Sequence, residues 1–123
     1  MATIYTQKGE ETVCDLIDGT SAVVLSAANA KIGWGTGAGT AAKGDTALFT
    51  EAAEARVVPA VSQVAPDKLQ WVGLLTAASG KTITNAGLFD AASGGNLIVH
   101  GDHAGVVLAA GDKIEYTITL EQT

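Results

Sequence analysis

The sequence predicts a single all-β domain, an antiparallel β-sandwich of jelly-roll type with at most one short helix. Three observations carry that expectation. Segment 113–121 alternates without a fault, with Ile114, Tyr116, Ile118 and Leu120 on one face and Lys113, Glu115, Thr117, Thr119 and Glu121 on the other. Strand side chains switch faces at every residue, so this strand has one buried and one wet face. Small breaks at Ala78-Ser79-Gly80, Ser93-Gly94-Gly95 and Ala110-Gly111-Asp112 punctuate the apolar runs, and glycine supplies the positive φ that tight turns need. The runs recur every ~8–14 residues, a spacing of sandwiches rather than of βαβ units.

In chain order, 3–6, 12–17 and 22–25 read as short strands, and 31–34 as a further one. Segments 1–29 together form an N-terminal arm of strands, and 30–123 the body of the sandwich. Segment 45–55 is the place for the one helix: Asp45 stands as its cap, followed by Ala47, Leu48, Ala52, Ala53 and Ala55. Segment 56–64 is Val-rich, but Pro59 removes a ladder donor and assigns it to an edge or a bulge. A more buried strand follows at 68–77 around Trp71, Val72, Leu74 and Leu75, then strands at 82–90 and 96–100. The Ala-Ala-Ser-Gly sequence at 77–80 returns at 91–94. A stacked array needs about three copies, so the pair reads as two similar hairpin turns.

Composition excludes several functions. With 7 Lys+Arg against 13 Asp+Glu the formal charge is −6, and nucleic acid needs a basic face. At 123 residues with 47% hydrophobic and 16% charged residues, the chain is one domain able to bury its own core, not a disordered segment. Residues 1–5 show no basic stretch leading into an apolar one, and no apolar run approaches the ~20 residues of a membrane helix. The expectation is a soluble chain made in a cytoplasm, without a membrane partner. Cys14 is the one cysteine, so there is neither an internal disulfide nor a cysteine zinc site, and it reads as a small buried hydrophobe.

No constellation supports catalysis, a cofactor or a metal. The run Gly33-Trp34-Gly35-Thr36-Gly37-Ala38-Gly39 loosely resembles a phosphate loop. The dinucleotide fingerprint requires a long helix next, which Gly44 and Asp45 interrupt, and the phosphate-binding lysine pattern fails because Asp45 follows Gly44. His100-Gly101-Asp102-His103 has metal-ligand residue types. In a strand, however, residues three apart face opposite sides, so the cluster reads as a solvated hairpin end. No serine sits in a Gly-x-Ser-x-Gly context, and no triad assembles from spacing. Trp71 reads as core. Trp34, between glycines, is open to two readings: local core, or an interface indole with its N–H offered outward.

From residue 30 onward the order of motifs resembles a family of small tailed-bacteriophage virion proteins, labelled tail fibre or capsid decoration proteins. The likeness lies in Ile32-Gly33-Trp34-Gly35-Thr36-Gly37, in Asp45-Thr46-Ala47-Leu48 with Glu51 and Arg56, in the block from Asn85-Ala86-Gly87-Leu88-Phe89-Asp90 to Gly95-Asn96-Leu97, and in Ala110-Gly111-Asp112. The first 29 residues lie outside it and lack the helical opening expected of many relatives. The resemblance implies a non-enzymatic structural protein of the virion. The leading expectation is a capsid decoration (cement) protein on the head exterior, with the major capsid protein and itself, as homodimer or homotrimer, for partners. The alternatives are a tail-fibre or baseplate-associated module and, from another class, a small carbohydrate-binding or enzymatic sandwich domain. The residues expected at the partner contact are Ile4, Tyr5, Trp34, Gly35 and Gly37, in the N-terminal segment and the Gly-rich loop.

Overall fold

The computed structural model describes residues 2–19 and 29–121. They form β1 (Ala2–Tyr5), α1 (Gln7–Asp18), β2 (Lys31–Gly35), β3 (Ala60–Ala65), β4 (Lys68–Thr76), β5 (Lys81–Phe89), β6 (Leu97–Leu108) and β7 (Lys113–Glu121). Two antiparallel sheets result, a first of four strands in the order β1-β6-β5-β2 and a second of three in the order β3-β4-β7. Their facing sides share one core: Ile32, Trp34, Ala86, Leu88 and Val99 come from the first sheet, and Trp71 and Leu75 from the second. Ile114, Tyr116, Ile118 and Leu120 of β7 pack against it, on the face their alternation predicts. A Cβ on Gly73 would lie 2.9 Å from the Ile32 side chain, so β4 lies directly over β2. No described helix is long and apolar enough to cross a membrane.

The strands at 31–34, 68–77, 82–90 and 113–121 appear within a residue or so of their expected bounds. The expected strand at 22–25 lies outside the described residues. Pro59 is buried and stands just before β3, which is a sheet edge with a register shift between Gln63 and Ala65.

Several expectations are corrected. Residues 12–17 are not a strand: they belong to α1, so the N-terminal region has the helical opening that the sequence seemed to lack. Thr6 caps the helix, its hydroxyl accepting from Gly9 N–H at 3.0 Å and donating to the Leu97 carbonyl at 2.6 Å. Glu10 lies in the first turn, where the helix dipole favours an acid. Gly19, at φ 78°, closes the other end by donating to the Asp15 carbonyl. Gly9 is required because a Cβ there would lie 2.4 Å from the Ile98 carbonyl oxygen; the helix rests on β6 through Gly9 and Thr12. Cys14, expected to be buried, is on the exposed side of α1.

Segment 45–55 is not helical, because its backbone groups are engaged across the chain instead of along it. Gly37 N–H donates to the Phe49 carbonyl (2.8 Å), Thr36 N–H to that of Thr50 (3.0 Å) and Ala52 N–H to that of Trp34 (3.0 Å). Thr50 takes a left-handed φ of 51°, which breaks helical continuation. The segment then lies along β2, with single antiparallel bridges at Gly35–Glu51 and Ile32–Val57.

The strand expected at 96–100 runs on to Leu108, so His100-Gly101-Asp102-His103 is strand interior and not a hairpin end. Pairing with β1 on one side (Thr3 with Gly101) and β5 on the other (Ala86 with Gly101) carries the ladder through the glycine. Of the two Ala-Ala-Ser-Gly turns, the one at 91–94 joins the hairpin β5–β6, with Gly94 and Gly95 at φ 59° and 70°. The other, at 77–80, is a crossing from the second sheet to the first.

Candidate functional site

The side chains that carry the family likeness are engaged within the chain, fastening segment 36–56 over the outer face of the first sheet. His100 is fully buried, with Nδ1 2.7 Å from Asp45 Oδ2 and Nε2 3.1 Å from Asn85 Oδ1. Asn85 in turn grips Phe49 by both backbone groups: Oδ1 accepts from its N–H (3.0 Å) and Nδ2 donates to its carbonyl (3.1 Å). The Phe49 ring covers the imidazole at 4.6 Å. Asp45 accepts from Ala42 N–H at 2.8 Å, closing a turn where a helix cap was expected.

Arg56 makes the second fastening. Its Nε and one terminal nitrogen pair with the two Glu51 oxygens at 2.8 and 2.9 Å, and its other nitrogen donates to the Ala91 and Gly94 carbonyls at 2.9 Å each. The guanidinium carbon lies 3.4 Å from the Phe89 ring centroid. Asp90 closes the same loop by accepting from the backbone and side-chain nitrogens of Asn96 (2.7 and 2.8 Å). These planar, two-point contacts need Arg and Asn geometry and not merely charge.

Sequence reasoning missed a third fastening, at Glu54. It accepts from Trp34 Nε1 (3.3 Å), from Ala78 N–H (2.8 Å) and from the Lys81 ammonium. Burial opposes ionisation, but the bonds from Lys81, the Ala78 backbone and Trp34 outweigh it, holding the carboxyl at about 2 against an ordinary 4.5. A carboxyl depressed on folding stabilises the fold above its unfolded value, and that contribution is lost as pH falls through the folded one. Acid titration of stability should therefore show a decline between about 4.5 and 2. In Glu54→Gln it should be shallower, with a stability at neutral pH roughly 2 kcal/mol lower because the half-buried Lys81 loses its charged partner. Urea denaturation at stepped pH measures both.

The residues expected at a partner contact do not come together. Ile4 and Tyr5 lie on β1 and Trp34 and Gly35 on β2, at opposite ends of the first sheet. Trp34 is 1% exposed, so the local-core reading holds and the interface reading is withdrawn. Gly35 and Gly37 serve close approach within the chain: a Cβ would lie 2.5 Å from the Phe49 carbonyl oxygen at the first and 2.7 Å from Thr50 Oγ1 at the second. Ile4 and Tyr5 are half-buried. Among the described residues the buried Tyr5 hydroxyl finds no hydrogen-bond partner. Burial first, with Glu10 and Cys14 adding, pushes its pKa up to about 12.

The β1 end of the sandwich holds a cleft of about 340 Å³. Thr3 of β1, Ala86 of β5, and Val99, Gly101, Asp102 and His103 of β6 form one wall; β7 forms the other from Tyr116 to Thr119. His103 bridges the two sheets. Its Nδ1 lies 2.8 Å from the Ala104 carbonyl and its Nε2 2.8 Å from the Tyr116 hydroxyl. A carbonyl only accepts, so Nδ1 carries the hydrogen and Nε2 receives the phenol's. Burial raises the Tyr116 pKa further, keeping that phenol a donor. His100 and His103 thus point to opposite faces, as strand parity requires, and among the described residues no three His, Cys, Asp or Glu side chains gather. Compared with known proteins, the chain matches no family model and no curated sequence.

Proposed function

We propose that the protein is a non-enzymatic structural component of a tailed-phage virion, a decoration protein that binds the outside of the assembled head and associates with its own copies as a dimer or trimer. One observation carries the reading beyond the sequence resemblance. The polar residues of the resembling blocks (Asp45, Glu51, Arg56, Asn85, Asp90 and Asn96) bond to one another, to the backbone or to His100, and so build a braced scaffold. A shell under internal pressure is strengthened by stiff modules making many modest contacts, because the later contacts of an oligomer become effectively intramolecular. The jelly-roll description belongs to the same reading. What supports it is that the chain changes sheet between β2 and β3, β4 and β5, and β6 and β7.

Copy number tests the proposal. A cement protein is expected at on the order of hundreds of copies per particle, following the symmetry of the shell. Quantitative gel densitometry of purified virions measures it. A handful of copies overturns the cement reading in favour of the tail-fibre or baseplate alternative.

A further inference from the structure

The two sheets are unequal, and the inequality falls at the cleft. Among the described residues the first sheet has four strands and the second three. The wall opposite β7 is made by β5, β6 and β1, so the first sheet runs on past the edge of the second. Among the described strands, β7 pairs only with β4, and its other edge has no partner. Unpaired edges are usually blunted by proline, a bulge, shortness or an inward charge. β7 carries outward charges at Lys113, Glu115 and Glu121 but none of these: its nine residues pair with β4 in unbroken register, and its inward side chains are Ile114, Tyr116, Ile118 and Leu120.

From this geometry we propose that β7 accepts an extended segment of the capsid subunit, which adds as a fourth strand of the second sheet beneath β6 and β1. The proposal rests on the decoration reading above and supplies its mode of contact. Three features define the occupant. The unpaired edge asks for extended backbone, since strand addition works through main-chain hydrogen bonds with alternate side chains entering pockets. The cleft is floored by Ala86, Val99 and Gly101, so its inward positions take apolar side chains of modest size. Glu115 on the outward face of β7, in a chain of net charge −6, favours a segment that is uncharged or basic.

The same geometry excludes a second copy joined β7 to β7. Antiparallel pairing of two identical edges places both sandwiches on the same side of the joined sheet. Packed sheets are separated by only about 10 Å and adjacent strands by about 4.8 Å. The overhanging β6 and β1 of one copy would then occupy the space of those of the other. A single segment with no sheet above it reaches the edge without that collision.

The test uses heads assembled without the protein. Hydrogen exchange is measured on the protein free and bound to them, and binding is titrated for wild type and for Thr3→Trp, a substitution at an exposed cleft-lining position. Exchange in 113–121 should slow at least about tenfold on binding, as newly bonded strand amides do. Thr3→Trp should weaken binding by about tenfold or more, with its circular dichroism and thermal midpoint unchanged. If β7 amides exchange at the free rate on saturated heads, or Thr3→Trp binds as wild type does, strand addition is wrong and decoration stands. If the wild-type protein shows no saturable binding to heads, decoration fails and strand addition fails with it.

Discussion

Trp34→Ala is expected to lower stability by about 4 kcal/mol, the range for emptying a large aromatic site in a packed core. The indole is 1% exposed, it lies between the sheets with Ile32 and Trp71, and its N–H bonds to Glu54. The loss is a large part of the ~5–15 kcal/mol that holds a domain of this size, and corresponds to a fall in thermal midpoint on the order of 15 °C. Trp34→Phe keeps most of the volume and drops only the bond to Glu54, so it should cost about 1.5 kcal/mol. Calorimetry of the two variants separates packing from hydrogen bonding. A Trp34→Ala protein with the wild-type midpoint would return the indole to the surface.

His100→Ala should cost about 3 kcal/mol, mainly by what it leaves behind. Removing the ring strips Asp45 Oδ2 of its imidazole partner and leaves Asn85 Oδ1 with only the Phe49 amide. Breaking a buried pair by deleting one member costs several kcal/mol because the other remains desolvated. The effect should also be local. Segment 36–56 is held to the first sheet through Asp45 and Phe49, so its amides should lose exchange protection before those of β4 and β7 do. His103→Ala, which removes one bond at the half-buried Tyr116 hydroxyl, should cost about 1 kcal/mol and leave segment 36–56 unchanged. Native-state hydrogen exchange compares the two variants directly.

What could be read in advance divides along one physical line. Segment 113–121 was legible because one face of β7 is half-buried and the other wet, which writes burial into alternate positions. Helix α1 was not, because its buried stripe is Gly9 and Thr12 while Leu16 and Ile17 are 51% and 81% exposed. Hydrophobic periodicity points nowhere in such a segment; the usable signals were the caps, Thr6 and Gly19. Segment 45–55 has helical composition, but Asn85 and His100, distant in sequence, hold it in another shape. Local propensity yields to partners of that kind. The cleft depends on the relation between strands from the two ends of the chain, and no local pattern encodes it. Ile4 and Tyr5 were placed on the strand that borders it, whereas Trp34 and the glycines were drawn to the opposite end by the same absence of local cover.

The far end of the sandwich bears on how large an assembly this chain can enter. There β2 is already bridged by its own chain at Glu51 and Val57, and the neighbouring β3 is short, shifted in register and flanked by Pro59 and Pro66. Adding a strand at β7 therefore creates no fresh edge on the opposite side for another molecule to use. Of the four sheet edges among the described strands, β2 and β3 are thus protected, which leaves those of β7 and the four-residue β1. Protected edges of this kind oppose edge-to-edge polymerisation, the route by which open sheets run into fibrils.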